Sequence, residues 1–221
     1  MSHLRVVLVT VLSILFVHTP ASAQSEGSPL LPPQSNLFGL SFDEWNVLQT
    51  QFAIETQLGG KNVSPIFQHV QFLPGAIFGT GPIFNVTLRA GTPFVSAPLF
   101  LFGERYDDPN VPDDDPVALA ELIDAFVQTA GIKTALDGRV LLNGDGAQFE
   151  HYMFGPTFFD APIAYAQPQD RGGGLNAVAA LWVVGIGSVY DSLEVGQHTL
   201  VYTLNTVLGD SHFTYNITVV P

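Results

Sequence analysis

This chain has 221 residues, with 20 acidic side chains against 7 Lys and Arg and a formal net charge of −13, so nucleic acid and anionic membrane surfaces are poor partners for it. It contains no cysteine, which excludes disulfides, thiol nucleophiles and Cys-ligated metals. Charged residues make up only 12% of the chain beside 17 Phe, 21 Gly and 16 Pro, a composition of buried strands and irregular loops rather than of long charged helices.

Residues Met1–Ala23 read as a secretory signal peptide. Arg5 precedes an apolar run, Val6–Val17, which leads to Pro20 and the small-residue site Ala21-Ser22-Ala23 before Gln24. The run is too short to span a bilayer, and no second apolar segment of membrane length follows. The expected location is therefore secreted or periplasmic, with no membrane span. Residues 24–36, rich in Ser, Pro and Gln, read as a flexible lead-in. The remainder, 37–221, is long enough for one domain with a substantial core.

Ser41-Phe42-Asp43-Glu44 is a capping box, and Trp45, Leu48 and Phe52 follow at helical spacing up to Gly59-Gly60. Strand-like runs come next at Phe67–Phe72, Ile83–Leu88 and Phe94–Phe102, separated by Gly- and Pro-containing turns. Pro98 inside the third run marks an edge or a bulge.

The densest charge lies between Tyr106 and Pro116. Asp115 suits an N-cap and Pro116 the first position of a helix over 117–130, with Asp113 and Asp114 near its positive end. The same loop admits a second reading. Asp107, Asp108, Asp113 and Asp114 are carboxylates of the kind that Ca²⁺ gathers in an extracellular setting, although EF-hand spacing fails because Asp113 stands where that loop needs glycine. The capping reading is preferred.

Asp137-Gly138 between two apolar runs is a strong hairpin signal, and a second turn is expected at Asn143–Gly146. Phe149–Phe154 reads as a strand, with Glu150 and Tyr152 on one face and His151 on the other. Ala166–Leu175, which holds Arg171-Gly172-Gly173-Gly174, reads as a mobile loop without the context of a phosphate cradle. Val178–Val184 is apolar throughout, as a strand buried on both faces would be, and Gln197–Leu204 and His212–Val220 form a terminal hairpin across Gly209-Asp210. The fold these elements predict is mainly β, a sandwich of immunoglobulin-like or jelly-roll-like kind with two helical insertions.

No nucleophile elbow, zincin helix or Walker loop occurs in the sequence. His198 and His212 share the terminal hairpin and present a thinkable zinc or copper pair, but hydrogen bonding of His198 to a neighbouring loop is the preferred reading. A binding or interaction module is therefore favoured over an enzyme. Its expected ligand is a carbohydrate or a protein, at a site drawn from Glu150, His151, Tyr152 and Trp182. The alternative is an extracellular hydrolase, carboxylate- or metal-dependent, acting on a polymer, for which Glu150 and Asp160 are the carboxylates considered.

Taken together, the Ser-x-x-Glu-Trp helix start, Ala90-Gly91-Thr92-Pro93-Phe94, the Asp107-Asp108-Pro109 loop, the Leu136-Asp137-Gly138 hairpin and Gly196-Gln197-His198-Thr199-Leu200 resemble a family of secreted bacterial proteins without an assigned activity. The closing Gly-x-His-Thr-Leu hairpin is also similar to the last hairpin of immunoglobulin-like extracellular modules. The resemblance implies export and a β-sandwich. This chain has a single tryptophan in the helix and Thr92 where that family has lysine, so no site residue comes over with the resemblance.

Overall fold

Alternating apolar residues become strands where one face can be buried, and in the computed structural model they sort into two five-stranded sheets beside a two-stranded ribbon of β1 (Asn36–Leu37) and β2 (Leu40–Ser41). The structure describes residues 27–75, 82–118, 121, 131–145, 148, 150–206 and 209–221. The expected leader, residues 1–23, lies outside them. The first sheet holds β3 (Ile66–Phe67), β4 (Val70–Phe72), β6 (Phe94–Tyr106), β10 (Asn176–Tyr190) and β9 (Met153–Asp170), in that order. The second runs β5 (Ile83–Arg89), β12 (Gly209–Val220), β11 (Gly196–Thr206), β7 (Gly131–Leu136) and β8 (Arg139–Asp145). The mainly-β sandwich predicted from the sequence is the observed class.

The sheets meet face to face through aromatic side chains. Phe94 stacks on Tyr190 with ring centroids 4.6 Å apart, and the Tyr190 hydroxyl lies 2.5 Å from that of Tyr202 in the other sheet. The last strand keeps the expected alternation, with Phe213, Tyr215, Ile217 and Val219 buried.

A helix, α1 (Phe42–Gln57), covers the outer face of the first sheet. Its capping box forms as predicted, since the Ser41 hydroxyl accepts from the Glu44 amide at 3.3 Å and the Glu44 carboxylate accepts from the Ser41 amide at 2.7 Å. The buried stripe differs from the expected one. It comprises Phe42, Trp45, Asn46, Gln49, Thr50, Ala53 and Ile54, while Leu48 and Phe52 are half-buried. Two hydrogen bonds fix this face: the Trp45 indole donates to the Leu37 carbonyl at 2.9 Å, and the Gln49 amide donates to the Leu73 carbonyl at 3.0 Å.

Helix on one side and sheet on the other explain why β10 is buried continuously from Ala179 to Tyr190. Gly187 permits the close approach, because a Cβ there would lie 1.9 Å from the Asn46 side-chain oxygen. The second helix begins at Pro116, with the Asp115 carboxylate accepting from the Val117 amide at 2.8 Å, as its N-cap role predicts. Most of the remainder of that helix lies outside the described residues. No helix among the described residues is long and apolar enough to cross a membrane.

Several boundaries differ from the sequence reading. Phe67–Phe72 is two short strands rather than one, broken where Gln68 and His69 adopt φ of 46° and 69°. Asn143–Asp145 continues β8 instead of turning, because Asn143, Gly144 and Asp145 pair with Lys133, Ile132 and Gly131. Gly209 and Asp210 already belong to β12, paired with Thr206 and Asn205. The expected flexible lead-in, residues 24–36, is instead docked from Pro29 onward: Leu30 is buried beside Tyr190, and Leu31 donates to the Val189 carbonyl at 2.8 Å. Pro98 does coincide with a bulge, between the Leu99–Ile186 and Ser96–Ser188 pairs.

Strand β9 departs furthest from a regular edge. It uses five residues where β10 uses two, once between Phe158 and Ile163 and again between Ala164 and Gln169. Pro156, Pro162 and Pro168 punctuate it. These excursions blunt an exposed edge, and the first of them shapes the site described next.

Candidate ligand cleft

Glu104 is a charged residue near the C-terminal end of the largely apolar strand β6, only 6% exposed, and burial of a carboxylate is tolerable only where it is paired. Arg171 supplies the pairing bidentately, with Nε and a terminal nitrogen each 2.6 Å from the Glu104 carboxylate oxygens, and the Tyr165 hydroxyl donates to the same group at 2.6 Å. The Gly-rich loop expected to be mobile is thus anchored. β9 extends to Asp170, Gly172–Gly174 turn the chain at positive φ, and Arg171 returns across the sheet.

The acidic loop is tied to the same strand. Asp114 donates its amide to the Glu104 carbonyl at 3.0 Å, and its carboxylate accepts from the Glu104 amide and from the Tyr106 hydroxyl, both at 2.9 Å. The Asp114 carbonyl accepts from the Trp182 indole at 3.2 Å. Burial, then the bond to Asp114, pushes Tyr106 up to about 12, and burial with the Glu104 bond raises Tyr165 as well. The hydrogen bonds that Arg171 donates to Glu104 raise its own pKa. Both phenols therefore remain donors and the guanidinium remains charged across the physiological range.

Where the loop and the first excursion of β9 meet, a half-open cleft of about 360 Å³ is lined by Arg105, Asp113, Asp114, Phe158, Phe159, Pro162 and Leu181. Phe159 and Leu181 form its buried apolar floor, and Phe158, 62% exposed, stands beside it. Arg105 and Asp113, 2.9 Å apart, form the polar rim. That pairing also raises the Arg105 pKa, through the hydrogen bond to Asp113 first.

The residues expected to bind ligand are not brought together. Glu150, His151 and Tyr152 form a 3₁₀ turn and not a strand, so they have no alternating faces. Glu150 and His151 are exposed, whereas Tyr152 is buried edge-on against Phe42 with ring centroids 6.1 Å apart. Trp182 is fully buried over Gly103, where a Cβ would lie 2.0 Å from its ring, so it offers no platform to a ligand. The turn precedes Met153, paired with Ile186, whereas Phe158 pairs with Trp182, which separates the two regions by ~13 Å along the strand.

The four aspartates considered for Ca²⁺ also have separate partners. Asp107 accepts from the Asn176 side chain at 2.9 Å, a bond that lowers its pKa, and Asp108 accepts from the Asn110 amide at 2.9 Å. Asp113 faces Arg105, and Asp114 faces Tyr106 and Glu104. Among the described residues no group of three or more His, Asp or Glu is gathered as a metal would require.

His198 and His212 stand opposite Ile217 and Thr203, five rungs apart on one hairpin, too far to share an ion. His198 makes the loop contacts expected of it: Nδ1 lies 2.7 Å from the Asp137 carboxylate and Nε2 lies 3.0 Å from the Glu194 carbonyl.

Phe158 is not among the residues expected from the sequence to bind ligand. The signal was present, because adjacent Phe158 and Phe159 cannot both face the core of one strand, and Pro156 and Pro162 on either side mark an edge that leaves the regular pleat. Compared with family models, curated proteins and solved structures, the chain finds no match.

Proposed function

We propose that this chain is an exported binding module, that residues 1–23 are its signal peptide, and that its ligand is a carbohydrate held in the cleft beside Phe158. The observation that carries the reading is the exposed Phe158 ring next to an apolar floor with an Arg105–Asp113 rim. An aromatic face accepts the C–H face of a sugar ring, while a guanidinium and a carboxylate exchange hydrogen bonds with hydroxyls. Binding is favoured over hydrolysis because the carboxylates at the cleft, Asp113 and Asp114, are each engaged by neighbouring groups. The resemblance to a family of secreted bacterial proteins supports the export part of the reading.

Titration against soluble plant and microbial polysaccharides tests the proposal. Saturable binding to at least one of them is expected, weakened about tenfold by Phe158→Ala, which removes a stacking contact. Absence of binding to all of them, or binding indifferent to both Phe158→Ala and Arg105→Ala, would overturn it. N-terminal sequencing of exported protein tests the leader: Gln24 is the expected first residue.

A further inference from the structure

The edges of the two sheets are not equally protected. β9 is broken by two excursions and three prolines, β3 has only two residues, and β8 ends on Arg139 and Asp145 with a register shift along its length. β5 is longer than β3 and has no excursion, proline or register shift. Its seven residues pair with β12 in one uninterrupted parallel register, without Pro, Gly or bulge, and Arg89 at the end is its single charge. Unbroken edges of this kind, charged at one end alone, are templates for another strand.

The direction of the free groups can be read from the ends of the ladder. Thr214 donates to the Pro82 carbonyl at 3.1 Å, and Ala90 donates to the Val220 carbonyl at 2.7 Å. In a parallel ladder alternate residues face the same neighbour, so Pro82, Phe84, Val86, Leu88 and Ala90 face β12. Ile83, Asn85, Thr87 and Arg89 therefore direct their amides and carbonyls away from it. Among the described residues no strand pairs with them.

We propose that β5 is an interface for a second copy of this chain, which adds its own β5 antiparallel about a two-fold axis at Val86. The sequence is self-complementary in that register. Asn85 lies opposite Thr87 and Ile83 opposite Arg89 on the exposed face, and Phe84 lies opposite Leu88 on the buried face. The outward-directed residues fall in the hydrogen-bonded pairs, as an antiparallel ladder requires. The two Arg89 side chains sit at opposite ends, ~20 Å apart, beyond the screening length at physiological salt. The second sheet then continues through both copies as ten strands.

A strand pair alone is smaller than a standard interface, and each chain carries a formal charge of −13, so the association is weak and strengthens with salt. Sedimentation equilibrium of the purified chain across micromolar concentrations tests it. A reversible dimer is expected, tighter in higher salt and weakened at least about tenfold by Asn85→Asp with Thr87→Asp, which oppose carboxylates across the axis. In a chain free of cysteine, Val86→Cys places a single thiol at the axis, where opposed Cα atoms ~4.5 Å apart permit a disulfide. A reductant-sensitive covalent dimer is expected from that variant. A monomer at every concentration, or a dimer unaffected by the aspartates and not captured by the Val86→Cys thiol, would overturn the proposal.

Discussion

Glu104 and Arg171 lie 67 residues apart in sequence and form a bidentate ion pair with both contacts at 2.6 Å. The pair joins the tip of the β9–β10 hairpin to the end of the central strand β6, beside the acidic loop.

The Glu104 side chain is 8% exposed, so its pairing is a condition of its burial. Removing Arg171 while leaving the carboxylate in place is expected to cost about 3 kcal/mol, because a buried charge then lacks its counter-ion. The double variant Glu104→Gln with Arg171→Met should recover a large part of that loss. Denaturant unfolding of the three proteins checks this, and equal stability of Arg171→Met and the native chain would contradict it.

A second prediction concerns pH. Burial works against protonation of His198, but its bonds to the Asp137 carboxylate and the Glu194 carbonyl outweigh that and raise its pKa above the ordinary 6.5. A group raised in the folded state contributes stability that is complete below the ordinary value and is lost as pH rises through the folded value. Stability should therefore decline from just above pH 6.5 upward, and His198→Gln should remove that part of the profile. Thermal melts across this window, with the imidazole titration followed by NMR, provide the check.

The separate partners of the acidic side chains lead to a third expectation. Asp107→Asn and Asp108→Asn should change stability by no more than about 0.5 kcal/mol, as at ordinary surface positions. Calcium in excess of chelator should leave the melting temperature unchanged apart from screening. A site filled in the folded state only would instead add about 2.7 kcal/mol at a hundredfold excess over its dissociation constant, and both substitutions would abolish the gain.

Legibility in the sequence followed the range of the interaction. The Ser41–Glu44 capping box and the Asp115 cap are set by contacts a few residues apart, and so is the Asp137-Gly138 turn, where φ is 52° and 78°. β10 was legible because burial on both faces leaves an unbroken apolar run. Partners far apart in sequence were not legible. Nothing local distinguishes Arg171 in a Gly-rich loop from a solvated arginine, and Trp182 in an apolar run reads equally as core or platform. The excursions of β9 depend on a register with β10 that alternation alone does not carry, so the cleft at Phe158 emerged only from the pairing.

A ligand bound as proposed enters where the first excursion of β9 meets the acidic loop. Backbone amide shifts of isotope-labelled protein, titrated with the best-binding polysaccharide cut to soluble oligosaccharides, test it most directly. The expected perturbations centre on Phe158–Pro162, Arg105 and Asp113–Asp114, and they extend to the Trp182 indole proton bonded to the Asp114 carbonyl. Perturbations confined to the Glu150–Tyr152 turn, or spread without a focus near Phe158, would contradict this placement of the ligand.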